Sequence, residues 1–440
     1  MTTKRFRPSA LAGATALALA LGLAAPAEAQ TLEELGAENA ALARELESLA
    51  EQVRELQTQM ARNQQAIEGA KNESPVEFDP KKLKVTSKDG DFEFQLGGRL
   101  QVDAAYYDDD LTDLGSGAEL RRARLFMQGR LYRDWAFKNQ IDFADNGVSV
   151  KDAYLQYSAL KPVKITVGNH KEPFSLEALT SSKYATFMER GLPNAFAPDR
   201  ALGLSASTGA DNYSAALGVF SDGLDSGETN DSGFGVTGRL TFAPWAEETR
   251  ALHLGLAGSY RSNVDGGTVQ FRARPESHVT DVRLVDTGAM TGVDDFWRLG
   301  PELALVYDSF SLQGEYFYTG VNRGMDALGN SFRNPSFDGW YVYLSWFLTG
   351  EARNYSASKG TFGRTKATDA FEVALRYSTI DLNDEEVRGG EEDNFTVALN
   401  YYFNPHLRWM LNYVHAEVDQ DGAGADEDAN IVQTRLAIDF

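Results

Sequence analysis

Apolar and polar residues alternate along most of the chain from residue 92 onward. In residues 92–106, the apolar side chains lie on one face of a predicted strand, whereas Glu93, Arg99 and Asp103 lie on the other. A two-residue period is typical of strands that separate two environments. The same alternation recurs at 162–168, 336–348 and 393–403. A soluble β-sandwich is the alternative explanation, but its strands are shorter than these.

The last predicted strand, residues 430–440, alternates most clearly. Val432, Leu436 and the terminal Phe440 share one face, and Arg435 lies on the other. A terminal aromatic residue on an amphipathic strand is typical of outer-membrane barrels of Gram-negative bacteria. We therefore expect the barrel-assembly machinery to be a partner of this chain through Phe440.

The strands can be counted from the alternation. It predicts sixteen, near 92–106, 119–133, 135–144, 150–158, 162–168, 202–209, 213–221, 233–243, 251–262, 296–307, 310–320, 336–348, 369–379, 393–403, 406–418 and 430–440. Bacterial single-chain barrels have an even number of strands, and sixteen leave a watery channel where eight would be filled by side chains. The predicted fold class is an all-β transmembrane β-barrel of about 16 antiparallel strands.

The connections between these strands alternate in length. Tight turns at 134, 308–309 and 404–405 are expected to face the periplasm, and longer polar segments to face outside; the longer ones are 107–118, 222–232, 321–335, 380–392 and 419–429. The connection formed by residues 349–368 falls on the periplasmic side, but it is longer than the tight turns expected there. Residues 263–295 contain the strand-like segment 269–273 but are assigned to an outer loop, because another crossing would make the count odd.

Two segments precede the barrel. Residues 1–29 have the basic start, apolar centre and Ala-x-Ala end of a secretory signal peptide, so the mature chain should begin at Gln30. An uncleaved N-terminal membrane helix is the alternative. No later stretch holds the roughly 18 uninterrupted apolar residues of a membrane helix.

Residues 30–69 predict a coiled-coil helix, and 70–91 a linker. An unbroken 3-4 spacing places eleven residues on one seam: Leu32, Leu35, Asn39, Leu42, Leu46, Leu49, Val53, Leu56, Met60, Asn63 and Ile67. A 3.5-residue period predicts a left-handed coiled coil with partner helices, which we expect in the periplasm. A single amphipathic helix packed on its own domain is the alternative.

The net charge of −22 is concentrated in few places. Segments 107–118, 221–232, 380–393 and 417–428 hold 21 acidic residues and one basic residue, Arg388. These acidic loops either are simply solvated or bind divalent cations together with lipopolysaccharide. The charge of a pore therefore cannot be inferred from the composition. The absence of cysteine excludes disulfides and thiolate sites.

Residues 164–203 read KITVGNHKEPFSLEALTSSKYATFMERGLPNAFAPDRALG. This stretch resembles the phosphate-selective porin family of the Porin O and P type, as do 121–144, RRARLFMQGRLYRDWAFKNQIDFA, and 402–414, YFNPHLRWMLNYV. The resemblance, which extends over about 92–440, implies a sixteen-stranded trimeric barrel that passes anions, with phosphate or polyphosphate preferred by some members.

Basic residues are the candidate anion-binding groups. Residues 169–201 form the longest well-marked loop, and if this loop folds inward its basic residues would narrow and charge the pore. The candidates on the wall and on this loop are Arg99, Arg122, Arg124, Arg130, Lys138, Lys164, Lys171, Lys183 and Arg190. Alternatively, the wall residues pair with Asp103, Asp142 and Asp152, which would leave a nearly neutral lumen.

We expect a porin for small anions such as phosphate, and a homotrimer in outer-membrane lipid and lipopolysaccharide. A general or cation-preferring porin, or a structural envelope tether with a plugged barrel, remains open. An outer-membrane hydrolase is the enzymatic alternative, but the five histidines lack metal-ligand spacing and no G-x-S-x-G elbow is present. The sequence thus predicts no enzyme, no cofactor and no nucleic-acid partner.

Overall fold

The computed structural model of the chain describes residues 32–73, 75–144, 147–221, 233–262, 267–325, 331–420 and 424–440. These residues belong to two compact units, 1–75 and 76–440. The predicted signal peptide and its cleavage site lie outside the described residues.

The first unit contains one long helix, α1, Leu32–Glu73. Its seam side chains from Leu42 to Met60 are 49–69% exposed, so a large apolar stripe faces solvent. The coiled coil itself stays a prediction. No helix in the described part of the chain is long and apolar enough to cross a membrane.

The second unit is a closed antiparallel barrel, and the predicted fold class is confirmed. Its sixteen strands, named in chain order, are β1 Glu93–Asp109, β2 Gly117–Leu131, β3 Trp135–Asp142, β4 Ser149–Tyr157, β5 Lys164–Lys171, β6 Arg200–Gly209, β7 Tyr213–Ser221, β8 Phe234–Ala246, β9 Arg250–Ser262, β10 Val293–Tyr307, β11 Phe310–Arg323, β12 Ser336–Phe347, β13 Ala370–Asp384, β14 Val387–Asn404, β15 Leu407–Asp419 and β16 Glu427–Asp439. Each strand pairs with the next, and β16 pairs with β1 to close the sheet. Because the barrel is closed, no strand edge is left with unpaired backbone N–H and C=O groups, as is required of a sheet that spans lipid.

The alternation sorts side chains between the outside and the inside of the barrel. On β12, for example, Trp340, Val342 and Leu344 face outward and are exposed, whereas Tyr341 and Tyr343 face inward and are buried. We call the end with the tight turns, such as Asp308–Ser309, the short-turn end, and the opposite end the long-loop end.

The prediction of one outer loop is wrong. The connection predicted at 380–392 is only two residues long, Glu385–Glu386, because β13 and β14 continue well beyond their predicted ends. Much of the acidic charge of this segment therefore belongs to strand ends. Pairing of Asp381 with Glu391 continues the ladder there.

The segment expected to be a linker is largely regular structure. Helix α1 continues to Glu73, and two short strands, Val76–Asp79 and Lys84–Ser87, form a hairpin. Lys84–Thr86 pairs with the first residues of β1, so this N-terminal hairpin extends the barrel sheet at the short-turn end.

Among the connections in the described part of the chain, three long ones place several buried side chains against the inner wall. The inward loop, 172–199, includes α2, Leu176–Leu179, and a 3-10 turn, Leu192–Phe196. Residues 267–292 form a loop with a two-residue ladder, so the predicted loop assignment agrees with the structure. The overlong connection, 349–369, folds back as a small hairpin with Phe362 buried. The rings of Phe196, Phe271 and Phe337 pack together in the core that these loops form.

Candidate functional site

A cavity of about 1530 Å³ lies between the inner faces of β1–β8 and the inward loop. Its acidic lining residues within the described ranges are Asp152 and Asp199. The basic lining residues are sixteen: Lys81, Lys82, Arg99, Arg121, Arg122, Arg124, Lys138, Lys151, Lys164, Lys171, Lys183, Arg190, Arg200, Arg239, Lys359 and Arg364. The cavity is therefore strongly asymmetric in charge.

Two β-bulges increase the number of basic residues that face the cavity. On β2 the register shifts so that Arg122 pairs with Gln101 while Leu120 pairs with Val102, which makes Arg121 the extra residue. A bulge redirects side chains that simple alternation would send outward. Arg121 and Arg122 therefore both line the cavity.

The second bulge lies on β4. Asp152 pairs with Gln140 while Val150 pairs with Ile141, so Lys151 is the extra residue. Lys151 and its neighbour Asp152 both reach the cavity. Sequence alternation missed Arg121 and Lys151 because it assumes an unbroken two-residue period.

Part of the basic lining is ion-paired. Arg124 Nε lies 2.5 Å from Asp142 Oδ2, and Lys138 Nζ lies 2.5 Å from Asp152 Oδ2. Asp152 also accepts a hydrogen bond from Arg200 Nε at 2.7 Å. The third expected acid, Asp103, instead binds Arg435 across the closure of the barrel, at 2.6 Å. Pairing within the wall is therefore real but incomplete.

Seven of the sixteen basic residues have no carboxylate oxygen within 4.0 Å in the described part of the chain. They are Lys81, Arg99, Lys151, Lys164, Lys171, Arg190 and Lys359. The other nine share seven carboxylates, namely Asp79, Asp142, Asp152, Glu189, Asp199, Glu302 and Asp439. Sixteen positive against seven negative groups leave an excess of nine positive charges around the cavity.

Arg99 is the most distinctive of the unpaired residues. Its guanidinium donates to Ser182 Oγ at 2.7 Å and to Ser181 Oγ at 3.4 Å, and it is only 8% exposed. Its Nε–H has no acceptor within the described residues. A buried guanidinium without a carboxylate, beside two hydroxyl groups, has donors available for an oxyanion.

Carboxylates of both the inward loop and the wall fasten this loop to the barrel. Glu189 lies 2.8 Å from Arg121 Nε and 2.6 Å from Arg435. Although burial alone would raise it, the pKa of Glu189 is held well below its ordinary value by the neighbouring guanidinium groups. Glu315 on β11 accepts hydrogen bonds from the backbone N–H groups of Leu176 and Glu177, at 2.9 and 2.8 Å.

Two basic residues of the inward loop region also hold its backbone. Lys171 donates to the carbonyl of Ala178, and Arg190 donates to the carbonyls of Glu177 and Ala178, both at 3.1 Å. Lys183 lies 3.3 Å from Asp439, which also binds Arg364 of the 349–369 hairpin. The inward loop and this hairpin therefore meet at the short-turn end of the cavity.

The structure places eight of the nine candidate residues on the cavity: Arg99, Arg122, Arg124, Lys138, Lys164, Lys171, Lys183 and Arg190. The ninth, Arg130, lies outside the lining, with a half-exposed side chain 4.0 Å from Glu93. Residues Lys81, Lys82, Lys359 and Arg364 were missed because they come from the N-terminal hairpin and the overlong connection, whose inward position no local pattern specifies.

Comparisons with known proteins give one consistent result. The sequence profile of the family described as "Phosphate-selective porin O and P" matches residues 94–440. Porin O of Pseudomonas aeruginosa is 28% identical over 411 residues, covering 81% of this chain and 91% of that protein. An uncharacterized protein of Caulobacter vibrioides is 33% identical over 383 residues, covering 80% of this chain and 75% of its own length.

Solved structures share the fold at low sequence identity. The outer membrane channel DcaP of Acinetobacter baumannii has a TM-score of 0.52 at 14% identity, covering 81% of this chain and 99% of that chain. The anion-selective porin of Comamonas acidovorans has a TM-score of 0.52 at 15% identity, covering 79% of this chain and 100% of that chain.

Proposed function

Because the chain belongs to the phosphate-selective porin O and P family and forms an outer-membrane porin barrel, we propose that its channel passes small anions by passive diffusion. The observation that carries this proposal is the excess of nine positive charges around the cavity. Rings of Arg and Lys attract anions, and confinement between low-dielectric walls strengthens their field.

Phosphate is the proposed preferred anion. Arg99, Ser181 and Ser182 present a guanidinium and two hydroxyl groups to the same region, with the ammonium of Lys183 also on the lining. Guanidinium and hydroxyl donors suit the several oxygens of phosphate better than a single chloride ion. The unpaired lysines elsewhere on the lining supply weak further sites, which allows passage rather than trapping.

The assembly of the porin is also part of the proposal. The exposed apolar seam of α1 supports a trimeric coiled coil in the periplasm, following removal of residues 1–29 as a signal peptide. Contact with lipopolysaccharide and recognition of Phe440 by the assembly machinery belong to the same proposal.

The direct test is the reversal potential of the purified porin in a planar bilayer under a KCl gradient. The proposal expects chloride to carry most of the current, and added phosphate to block that current. A preference for potassium would show that the acidic strand ends and loops dominate, making this a general or cation-preferring porin. A closed barrel without conductance would favour the structural tether.

A further inference from the structure

A second, smaller cavity lies at the short-turn end of the barrel, beside the large cavity of about 1530 Å³. Its volume is about 30 Å³, and Arg99, Lys183 and Arg364 line both cavities. Three parts of the chain bound it: the 349–369 hairpin, the inward loop, and the inner wall formed by β12–β16 and β1. We call it the small cavity.

The lining of the small cavity carries more positive than negative charge. Its basic residues are Arg99, Lys183, Arg353, Arg364 and Arg408, and its acidic residues within the described ranges are Glu372 and Asp439. With histidine counted as neutral, five positive groups face two negative ones. The excess is therefore three positive charges around a space that holds only a few atoms.

The two carboxylates neutralise little of this charge directly. Asp439 binds Arg364 and lies 3.3 Å from Lys183. Glu372 instead accepts hydrogen bonds from neutral donors, such as the hydroxyl of Tyr402 at 2.7 Å. Within the described ranges, no basic nitrogen lies within 4.0 Å of the Glu372 carboxylate. The remaining guanidinium groups therefore lack a direct counter-charge.

Arg353 and Arg408 are the buried cations left without a carboxylate, and they are only 7% and 5% exposed. Arg353 lies 3.5 Å from the ring centroid of Phe362 and donates to Gln313 Oε1 at 3.1 Å. Arg408 donates through one nitrogen to the carbonyl of Ala185 at 2.7 Å. Burying a charge without a partner is costly. Both residues therefore have guanidinium donors available for an anion.

We propose that the small cavity holds one small monovalent anion, with chloride as its physiological form, as a resident part of the fold. The excess of positive charge attracts the ion, and the N–H groups of Arg353 and Arg408 bind it. A single water needs roughly 10–15 Å³ of cavity. A volume of about 30 Å³ thus suits one halide, whereas phosphate with its tetrahedron of oxygens is too large.

The resident ion links segments that are distant in sequence. Arg353 and Arg364 belong to the 349–369 hairpin, Lys183 to the inward loop, and Arg408 to β15. Several donors on one ion favour retention, whereas passage requires weak sites in series. The inference goes beyond the proposed function, because a retained ion fixes the hairpin whichever ions permeate.

Bromide, which has the charge of chloride and nearly its size, is the probe for this site. Its anomalous scattering locates it in crystals of the purified porin soaked in bromide. We expect an anomalous peak within hydrogen-bonding distance of the Arg353 or Arg408 guanidinium. Arg353→Gln should lose this peak, and Arg408→Gln replaces that variant if it does not fold.

Arg298→Gln is the matched control and should keep the bromide peak. Like Arg353, Arg298 stacks on a phenylalanine, with its guanidinium 4.5 Å from the ring centroid of Phe296. It also has no carboxylate oxygen within 4.0 Å among the residues that the structure describes. Arg298 lines neither the small nor the large cavity.

Hydrogen exchange of the hairpin gives a second measurement that needs no crystals. Gluconate is too large for the small cavity, so it is exchanged for chloride at constant ionic strength. Amide exchange in 349–369 should become about tenfold slower when chloride is at about ten times its dissociation constant. This slowing should vanish in Arg353→Gln and should largely persist in Arg353→Lys, which keeps the charge.

Three results would overturn the inference. The first is no bromide in the small cavity of crystals that bind bromide in the large one. The second is a peak that persists in Arg353→Gln, which would mark an adventitious ion only. The third is equal slowing of exchange by chloride in Arg353→Gln and in the wild type.

The reversal potential separates this inference from the proposed function. Potassium preference with bromide in the small cavity would refute the anion channel and leave the resident ion intact. Chloride preference with no bromide in the small cavity would refute the resident ion and leave the anion channel intact.

Discussion

Neutralising Arg99 is the sharpest test of how the channel treats anions. Arg99→Gln removes a guanidinium that lines the cavity and has no carboxylate within 4.0 Å in the described part of the chain, but keeps a side chain able to donate to Ser182. Because no ion pair is broken, the substitution should leave the barrel folded. Its effect should therefore be on permeating ions.

The expected size follows from two contributions. A unit charge about 4 Å from an ion interacts by about 4 kcal/mol at an effective dielectric of 20. If only about 0.6 kcal/mol of this persists in the water-filled cavity, the substitution removes that much attraction for chloride and that much repulsion for potassium, so the ratio of chloride to potassium permeability falls roughly eightfold. Losing one charge-assisted hydrogen bond to phosphate, worth about 1.5–3 kcal/mol, should weaken the phosphate block by roughly tenfold or more.

The assay is the reversal potential in a KCl gradient, followed by titration of the chloride current with phosphate. Arg130→Gln is the matched control. This substitution on β2 also removes one guanidinium charge, but Arg130 lies outside the cavity lining. The control should change both quantities little. Equal effects of the two substitutions would refute the reasoning, since the position of the charge would then not matter.

Four other outcomes are expected. N-terminal sequencing of the outer-membrane protein should give Gln30, and a retained Met1 would contradict the signal peptide. Replacing Leu42, Leu46 and Leu49 together with Asp should abolish the coiled coil, measured as loss of helical circular dichroism, while chemical cross-linking still shows three chains. Glu189→Gln should lower the midpoint of thermal unfolding, because Arg121 and Arg435 lose their shared partner, and breaking such a buried pair costs about 3–5 kcal/mol; an unchanged midpoint would argue against this anchor. Shortening 354–363, whose ends are joined by a backbone hydrogen bond of 2.8 Å, should raise single-channel conductance because this hairpin occupies part of the lumen; unchanged conductance would place the limiting constriction elsewhere.

The strands of the barrel were predictable from sequence because each side chain responds separately to its surroundings. Water on one side and lipid on the other impose a two-residue period that needs no knowledge of distant contacts. All sixteen predicted strands therefore correspond to observed ones. Their ends were less predictable, as on β13 and β14, because a ladder can continue beyond the membrane wherever two strands still pair.

The fold of the lumen was less predictable, because it depends on contacts between residues distant in sequence. The anchoring of Glu189 joins the inward loop to Arg121 and Arg435, which belong to strands far apart in the chain. The 349–369 hairpin was recognisable only as a connection of unexpected length. Nothing in its own sequence indicates that Arg364 binds Asp439 beside the chain terminus.

The charge of the channel shows why composition is a poor guide to its function. The whole chain carries −22, yet the cavity bounded by the inward loop has an excess of nine positive charges in and directly behind its lining. A permeating ion responds chiefly to nearby groups, because charges beyond about 8–10 Å in salt solution are screened. Bulges strengthen this local field, since they place Arg121 beside Arg122 on the inner face and add Lys151 next to Asp152. Regular alternation would allow only one inward residue in every two. The bulges depart from the alternation by which the barrel is recognised, and they thereby raise the density of positive charge around the channel.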